Sequence, residues 1–271
     1  MQTQTLPAHI PDQFASVSGL GTLQTIYPVA ASNRWISAIG GVILVGAGGL
    51  AVVYGLYDTS VQVAKYGPVM FGKTIVAPLI IAAFLLLFGL LAVFNAYQSW
   101  NKSAAIYEKG LAYCDNSGVQ TWTWPDVEWL YCAITKHYTN GIYTGTTYVY
   151  TLHKADGSKI RLDNKFKNIE TLGRTINQKA APIQYERLLQ QLRNGQSVKL
   201  GEVTISKENL TISKKTFAWN EIASVGINKG FVNIKKKDGG WFSGGTAAVA
   251  NIPNLDALLA VIDQIVKVKA G

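Results

Sequence analysis

Charged residues are scarce in this chain, and two long stretches have none. Of the 271 residues, 15% are charged, well below the roughly 25% of soluble domains. No charge lies between Arg34 and Asp58, and none lies between Lys73 and Lys102. These uncharged stretches exclude a wholly water-soluble protein, and the hydrophobic fraction of 48% excludes a disordered chain.

Residues that perform catalysis or bind metals are also few. Two cysteines in 271 residues exclude a small domain built on disulfides. Cys114 and Cys132 are too far apart for a Cys-x-x-Cys motif, and the three histidines have no cysteine or carboxylate at metal-ligand spacing. No nucleophile or phosphate-loop motif occurs. We therefore predict a protein that is not an enzyme, with no catalytic, cofactor-binding or metal-binding residues.

Two apolar runs have the length of membrane spans. Trp35–Tyr57 would extend about 35 Å as a helix, at about 1.5 Å per residue, and Ile75–Trp100 is longer. A hydrocarbon core is about 30 Å thick, and aromatic residues stand at the ends of both runs, where interfacial anchors are expected. The alternative, two helices buried in a soluble core, requires a large domain, whereas the rest of the chain resembles small β modules.

Small residues recur four positions apart in the first run. Ser37 with Gly41, and Ala47 with Ala51, show this spacing. Small side chains let two membrane helices approach closely. The spacing therefore predicts that the two spans pack against each other, with homodimerisation as the alternative use.

The basic residues beside the spans predict the topology. Two spans place both termini on one side of the membrane. Near the spans that side would carry three basic residues, Arg34, Lys102 and Lys109, whereas the connecting loop on the other side would carry two, Lys65 and Lys73. Because basic residues favour the cytoplasmic side, both termini are predicted to be cytoplasmic. The predicted location is a bacterial inner or plasma membrane.

Beyond Lys102 the pattern predicts an α+β tail. Short alternating runs such as Ser158–Asp163 are typical of strands, and Asn-Gly and Asp-Gly pairs separate them. Asn168 is predicted to cap one helix and Pro182 to open another, which Gly195 ends. Asn254 is predicted to cap a last helix with an apolar stripe.

The tail contains a repeat. Glu108–Leu111 precedes a hairpin and then Trp124–Val127, and Lys207–Leu210 precedes a hairpin and then Trp219–Ile222. The leucine stands 13 residues before the tryptophan in the first copy and 9 in the second, so the second hairpin is shorter. Each copy then has further strands and an amphipathic helix. The pattern predicts two small antiparallel β-barrel or sheet modules, each closed by a C-terminal helix.

This order resembles the pleckstrin-homology-like modules of bacterial membrane proteins. The most specific segments lie in the second copy, at Leu200-Gly201, Trp219, Glu221-Ile222 and Ile252–Asn254. More closely, the chain resembles an uncharacterised bacterial family of unknown function with two N-terminal spans. The resemblance implies this architecture and no known activity; pleckstrin-homology modules in general imply binding of lipid headgroups or proteins.

The predicted organisation has four parts. They are a cytoplasmic N-terminal tail over 1–34, a transmembrane hairpin over 35–100, and pleckstrin-homology-like modules over 101–196 and 197–271. The spans within the hairpin are 35–57 and 75–100.

The tail is basic. From residue 101 onward it has 22 Lys and Arg against 14 Asp and Glu, a net charge of +8. Lysines near an anionic leaflet each contribute about 1 kcal/mol of attraction. The candidate face for anionic lipid or a partner comprises Lys214, Lys215, Lys229, Lys235, Lys236 and Lys237.

We therefore expect a non-catalytic, membrane-anchored interaction or scaffold protein that presents two modules to an unknown protein partner. The alternative is a lipid-headgroup sensor that binds anionic phospholipids through the basic face. A nucleic-acid partner is not expected, because only the pI of 9.4 suggests it and no recognition motif occurs.

Overall fold

The computed structural model describes residues 12–15, 17–237, 244–266 and 268–269. These residues divide into two compact units. The β unit holds the described residues up to Tyr27, Ala104–Tyr113 and those from Gln120 onward, and the helical unit holds Pro28–Ser103 and Cys114–Val119. The α+β class, with two long N-terminal helices and several antiparallel sheets, is confirmed.

The elements of the described chain are as follows. The helices are α1 (Asp12–Ala15), α2 (Ala31–Tyr66), α3 (Met70–Trp100), α4 (Ile169–Arg193) and α5 (Leu255–Ile265). The first strands are β1 (Leu23–Pro28), β2 (Ser103–Tyr107), β3 (Gly110–Asp115), β4 (Gly118–Thr123), β5 (Trp129–Thr139), β6 (Ile142–His153) and β7 (Lys159–Asp163). The later strands are β8 (Val198–Leu200), β9 (Val203–Ile205), β10 (Asn209–Ile212), β11 (Lys215–Ala218), β12 (Ile222–Asn228), β13 (Phe231–Lys236), β14 (Gly245–Ala248) and β15 (Val268–Lys269).

The two halves of the β unit share one order of elements. In the first copy a four-stranded sheet, β1-β2-β3-β4, is followed by a three-stranded sheet, β5-β6-β7, and then by α4. In the second copy the strands β8, β9, β10 and β11 form the first sheet, β12, β13 and β14 follow, and α5 comes next. The short β15 adds to the second sheet in parallel with β12.

The two long helices are an insertion in the first copy. β1 ends at Pro28 and its sheet neighbour β2 begins at Ser103, so α2 and α3 both lie between adjacent strands of one sheet. The sequence analysis placed residues 1–34 in a separate tail and began the first module at 101. The structure instead includes β1 in that module's sheet.

The ladder between β1 and β2 continues beyond the strand ends. Glu108 N–H donates to Thr22 O at 3.0 Å, and Lys109 N–H donates to Leu20 O at 2.9 Å. As the donor advances from Glu108 to Lys109, the acceptor moves back from Thr22 to Leu20, so the strands are antiparallel. All five residues of β2 are buried, so β1 covers an edge that would otherwise be open.

The repeat signature forms a 3-10 turn after each four-stranded sheet. The turns are Trp124–Asp126 and Trp219–Glu221. Each indole N–H donates to a backbone carbonyl in a turn between two preceding strands, that of Glu108 at 3.0 Å and that of Ser206 at 3.1 Å. Each carboxylate accepts the backbone N–H of the residue before the tryptophan, at 2.8 and 3.3 Å. The signature carboxylates thus stabilise turns.

The two tryptophans differ in burial. Trp124 is buried, whereas Trp219 is only partly buried and packs against the core of the second copy. The repeated signature predicts a core position for both tryptophans. Trp219 is therefore corrected to a boundary residue.

The helix of the first copy is continuous through Pro182. The sequence predicts a new helix there, but α4 runs from Ile169 to Arg193 with the proline inside. Interior proline removes one backbone hydrogen bond, and buried residues on both sides, including Ile176 and Leu188, keep the helix packed. The positive φ of 78° at Gly195 ends it, as predicted.

The two copies share a core. Leu188 and Leu192, in the last turns of α4, belong to the hydrophobic cluster of the second copy. Asn254, just before α5, donates from Nδ2 to Glu128 O at 2.7 Å and accepts at Oδ1 from Leu130 N–H at 2.8 Å. These contacts join the start of β5 to the second copy.

Neither predicted cap uses its side chain on its own helix. Asn168 and Asn254 both adopt the left-handed conformation, with φ of 55° and 53°, and neither makes a side-chain cap bond. Asparagine tolerates this conformation better than most residues, so it begins both helices through its backbone. In the second copy this leaves the amide free to bind the first copy.

Within the helical unit, α2 and α3 pack through residues seven positions apart. Gly41, Gly48 and Gly55 are buried on α2, and Ala82, Gly89 and Ala96 are buried on α3. A Cβ atom at Gly41 would lie 2.9 Å from Gly89 O, and one at Gly55 would lie 2.5 Å from Pro78 Cβ. The close packing that the sequence predicts is present, but the buried spacing is seven rather than four.

The helices are also longer than the predicted spans. α2 has 36 residues and α3 has 31. Lys65 and Lys73, predicted in a loop, lie within the helices, and only Gly67–Val69 connects them. The polar residues after Tyr57 remain helical because α3 packs beside them, as the bond from Thr74 Oγ1 to Thr59 Oγ1 at 3.1 Å shows.

Candidate functional site

The helical unit presents apolar side chains on its outer surface. Both α2 and α3 are long and apolar enough to cross a membrane. Their 18-residue apolar segments have mean hydropathies of 2.2 and 2.8, and only 11% and 17% of the residues in these segments are buried. Residues such as Leu50, Val53, Phe84 and Leu90 are more than half exposed. A core helix of a soluble protein would instead be mostly buried.

Aromatic and cationic groups meet at one end of this hairpin. Arg34 Nη1 donates to Trp100 O at 2.8 Å, and its guanidinium lies 5.8 Å from the centre of the Trp100 ring. The Trp35 ring meets the same indole edge-on at 5.4 Å. At the other end Lys65 Nζ lies 5.0 Å from the Tyr66 ring. Tryptophan, tyrosine and snorkelling cations are typical of membrane–water interfaces.

The structure brings five of the six candidate lysines to one end of the second copy. Lys235, Lys236 and Lys237 lie at the end of β13, where Gly245 of β14 pairs with Ile234. The turn that contains Lys214 is beside this end, because Lys215 Nζ donates to Gly244 O at 3.1 Å.

Lys229 is separate from this group. It lies in the turn between β12 and β13, with a positive φ of 49°, at the opposite end of β13. A strand of six residues spans about 20 Å at about 3.3 Å per residue. Lys229 therefore cannot bind the same small ligand as the other five.

Two of the five converging lysines already have partners. Lys215 donates to a backbone carbonyl, and Lys236 Nζ lies 3.2 Å from Glu221 Oε1. Among the described residues, no carboxylate lies within salt-bridge distance of Lys214, Lys235 or Lys237. Within the described residues, this end of the second copy is therefore basic.

A second polar region surrounds the first signature turn. An open cavity of about 490 Å³ is lined by Pro125, Asp126, Glu128, Lys154, Ala155, Asp156 and Arg187. Lys154 Nζ lies 3.8 Å from Asp126 Oδ2 and 4.9 Å from the Trp122 ring. Arg187 donates to Pro125 O at 2.9 Å.

The charges of this cavity do not favour an anion. Three carboxylates face two cations, and both cations are engaged by neighbouring protein groups. The N–H of Ser158 donates to Asp156 at 2.7 Å and lowers the pKa of that carboxyl. The cavity therefore lacks the convergent free donors that a phosphate group requires.

Potential metal ligands do not cluster within the described residues. No group of three or more His, Cys, Asp or Glu side chains within that part of the chain could hold a metal ion. Cys114 and Cys132 do not form a disulfide, and burial raises the pKa of Cys132 to about 12, with Asp256 adding to the shift. A thiol with so high a pKa is a poor nucleophile at neutral pH.

Comparison with known families gives one match. The model of a family of unknown function, DUF6585, matches residues 1–270. The chain belongs to this family. No curated protein matches it. The membership confirms the expected affiliation with an uncharacterised family and assigns no activity.

Proposed function

We propose that this family member is a non-catalytic, membrane-anchored interaction protein of a bacterial inner or plasma membrane. In this proposal α2 and α3 cross the bilayer, both termini are cytoplasmic, and the β unit is a platform for a protein partner. The observation that carries the proposal is the outward-facing apolar surface of α2 and α3 along stretches without charge. Exposing that surface to water would be unfavourable by about 25 cal/mol per Å².

The β unit supports the platform role by its architecture. Four strands, three strands and a closing helix occur twice, in the order expected of pleckstrin-homology-like modules. The two copies share a core, so they would present one rigid surface. The signature carboxylates Asp126 and Glu221 are occupied in turn formation, which favours binding over catalysis.

A first experiment tests the anchor. Membranes from cells that express the full chain are extracted with alkaline carbonate, beside a variant in which Val29 is joined to Lys102 through Asn-Gly. The full chain should stay in the membrane pellet, and the variant should move to the supernatant. Extraction of the full chain by carbonate would contradict the proposal.

A second experiment separates the platform from the headgroup sensor. The same variant is mixed with vesicles of increasing phosphatidylglycerol content. Attraction by summed charge should fall steeply with salt, since the screening length shrinks from about 10 Å at 0.1 M to about 3 Å at 1 M. Glutamine at Lys235, Lys236 and Lys237 should weaken binding about as much as glutamine at three exposed basic residues of the first copy, Lys159, Arg161 and Lys167.

A headgroup pocket would give another pattern, because charge-assisted hydrogen bonds act at short range and depend on geometry. One lysine would then dominate, and one lipid would be preferred at every salt concentration. That result would replace the platform by the sensor.

A further inference from the structure

The hairpin of β5 and β6 is much longer than its counterpart in the second copy. β5 and β6 have 11 and 12 residues, whereas β12 and β13 have 7 and 6. Both hairpins turn through two residues with positive φ, Asn140-Gly141 and Lys229-Gly230. Since the shorter hairpin completes the same arrangement of strands, closing the module does not require the extension.

The distal half of the long hairpin extends past its sheet. β7 pairs only with Val149–His153 of β6. The side chain of Asn164 continues that edge by accepting from Tyr148 N–H at 2.6 Å and donating to Thr146 O at 2.8 Å. Farther out, β6 has no strand partner except β5 among the described residues.

The end of this hairpin is apolar and exposed. The exposed fractions are 61% for Tyr138, 71% for Ile142 and 55% for Tyr143. The two tyrosine rings meet edge-on at 5.8 Å, and Tyr143 Oη lies 2.7 Å from Thr146 Oγ1. We call these three residues, together with the turn, the hairpin tip.

The hairpin itself carries no acidic residue. From Trp129 to Ala155 the sequence has no Asp or Glu, and Lys136 lies on the strand that leads to the tip. Isoleucine, tyrosine and lysine without acidic residues is a composition suited to the interface of an anionic bilayer. The tyrosine hydroxyls can stay in the headgroup layer while the rings and Ile142 enter the acyl boundary.

The geometry of the tip does not suit addition of another strand. The pairing of β5 with β6 is irregular between His137 and Tyr138, and Gly145 has a φ of 155°. Bulges and edge lysines such as Lys136 protect open strands from pairing with other chains. Three side chains at the end of a ribbon also provide far less than the roughly 800 Å² per partner of a standard protein interface.

We propose that the hairpin tip inserts into the headgroup region of the membrane and gives the β unit a second point of attachment. This inference rests on the proposed membrane anchor, because the anchor keeps the β unit close to the bilayer and so raises the effective concentration of the surface. The lipid chemistry it takes is an anionic leaflet.

The experiment uses the full chain in vesicles of equal parts phosphatidylcholine and phosphatidylglycerol. An environment-sensitive fluorophore is attached to Ile142→Cys, and in separate samples to Leu50→Cys and Phe231→Cys. Leu50 is on the outer surface of α2 and reports the anchor. Phe231 follows the turn glycine of the shorter hairpin, as Ile142 does in the longer one, and is the matched control. The unsubstituted chain gives the background of the two native thiols.

We expect blue-shifted emission and quenching by nitroxide lipids at Leu50→Cys and Ile142→Cys, and neither at Phe231→Cys. Serine at Tyr138 and Tyr143 should abolish the shift at Ile142→Cys. Because one lysine contributes about 1 kcal/mol at an anionic surface, Lys136→Gln should lower the docking equilibrium about fivefold.

The contradicting results are distinct. A polar environment at Ile142→Cys with an apolar one at Leu50→Cys refutes the tip and leaves the anchor intact. A polar environment at Leu50→Cys refutes the anchor. A blue-shifted emission at Ile142→Cys that nitroxide lipids do not quench would mean that the tip contacts protein, and it would overturn the proposal. This holds for the anchored chain and for the variant without α2 and α3.

Discussion

Leu20 gives the sharpest test of the insertion of α2 and α3 into the first module. It precedes β1, is 3% exposed, and a Cβ atom at Gly110 would lie 2.9 Å from its Cδ2. In the variant that joins Val29 to Lys102 through Asn-Gly, β1 and β2 become a plain hairpin. Leu20→Ala in that background removes buried apolar contacts and should cost about 2–5 kcal/mol of unfolding free energy.

The assay is thermal unfolding followed by circular dichroism. For a β unit of about 200 residues, 1 kcal/mol moves the unfolding midpoint by about 2–4 °C. Leu20→Ala should therefore lower Tm by about 4–20 °C. Gln24→Ala is the control, because Gln24 lies exposed on β1 and should move Tm by about 1 °C or less. Equal effects of the two substitutions would show that the segment before α2 does not belong to the sheet.

The remaining predictions concern the helices, the contact between copies and the thiols. Gly89→Leu should destabilise the packing of α2 against α3 by about 1–3 kcal/mol in detergent melts, because a Cβ atom at this position would lie 2.9 Å from Gly41 O. Gly49→Leu is the control and should leave the melts unchanged, because a Cβ atom at Gly49 has nothing within 4 Å. Asn254→Gly keeps the backbone conformation but leaves the buried N–H of Leu130 without its acceptor. Urea unfolding should therefore show an unfolding free energy that is lower by about 1–3 kcal/mol. Cys132, with a pKa near 12 instead of 9, should react about a thousandfold more slowly at pH 8 in the folded chain than in urea.

Local signals predicted the parts of the fold that depend on neighbouring residues. The apolar runs predicted two helices, and the recurrence of a tryptophan two residues before a carboxylate identified the repeat, because that spacing closes the same 3-10 turn twice. Asn140-Gly141 predicted a tight turn and the structure has one.

Long-range pairing explains what the sequence did not predict. β1 finds its partner only after the 74 residues that separate Pro28 from Ser103, and no local pattern shows that distance. Asn254 predicts a cap by residue type, yet its amide binds backbone groups near residue 129. Lys229 and Lys235 are only six residues apart in the sequence, but an extended strand, β13, separates them. The candidate lysines therefore lie at two ends of the second copy.

The exposed tip could have been found from a comparison of the two copies. Alignment at the signature tryptophan shows that the first copy has extra residues on both sides of Asn140-Gly141. The apolar residues Tyr138, Ile142 and Tyr143 lie in that extension. Only the structure shows that nothing within the described residues covers them.

The most direct test of the membrane-spanning hairpin is a paired topology measurement on the full chain. A reporter active only in the cytoplasm is inserted at Pro68, in the turn between α2 and α3, or fused after Gly271. We expect activity after Gly271 and none at Pro68, because one helix crosses the bilayer in each direction. Activity at both positions would show that the helices do not cross, and activity at Pro68 alone would reverse the orientation.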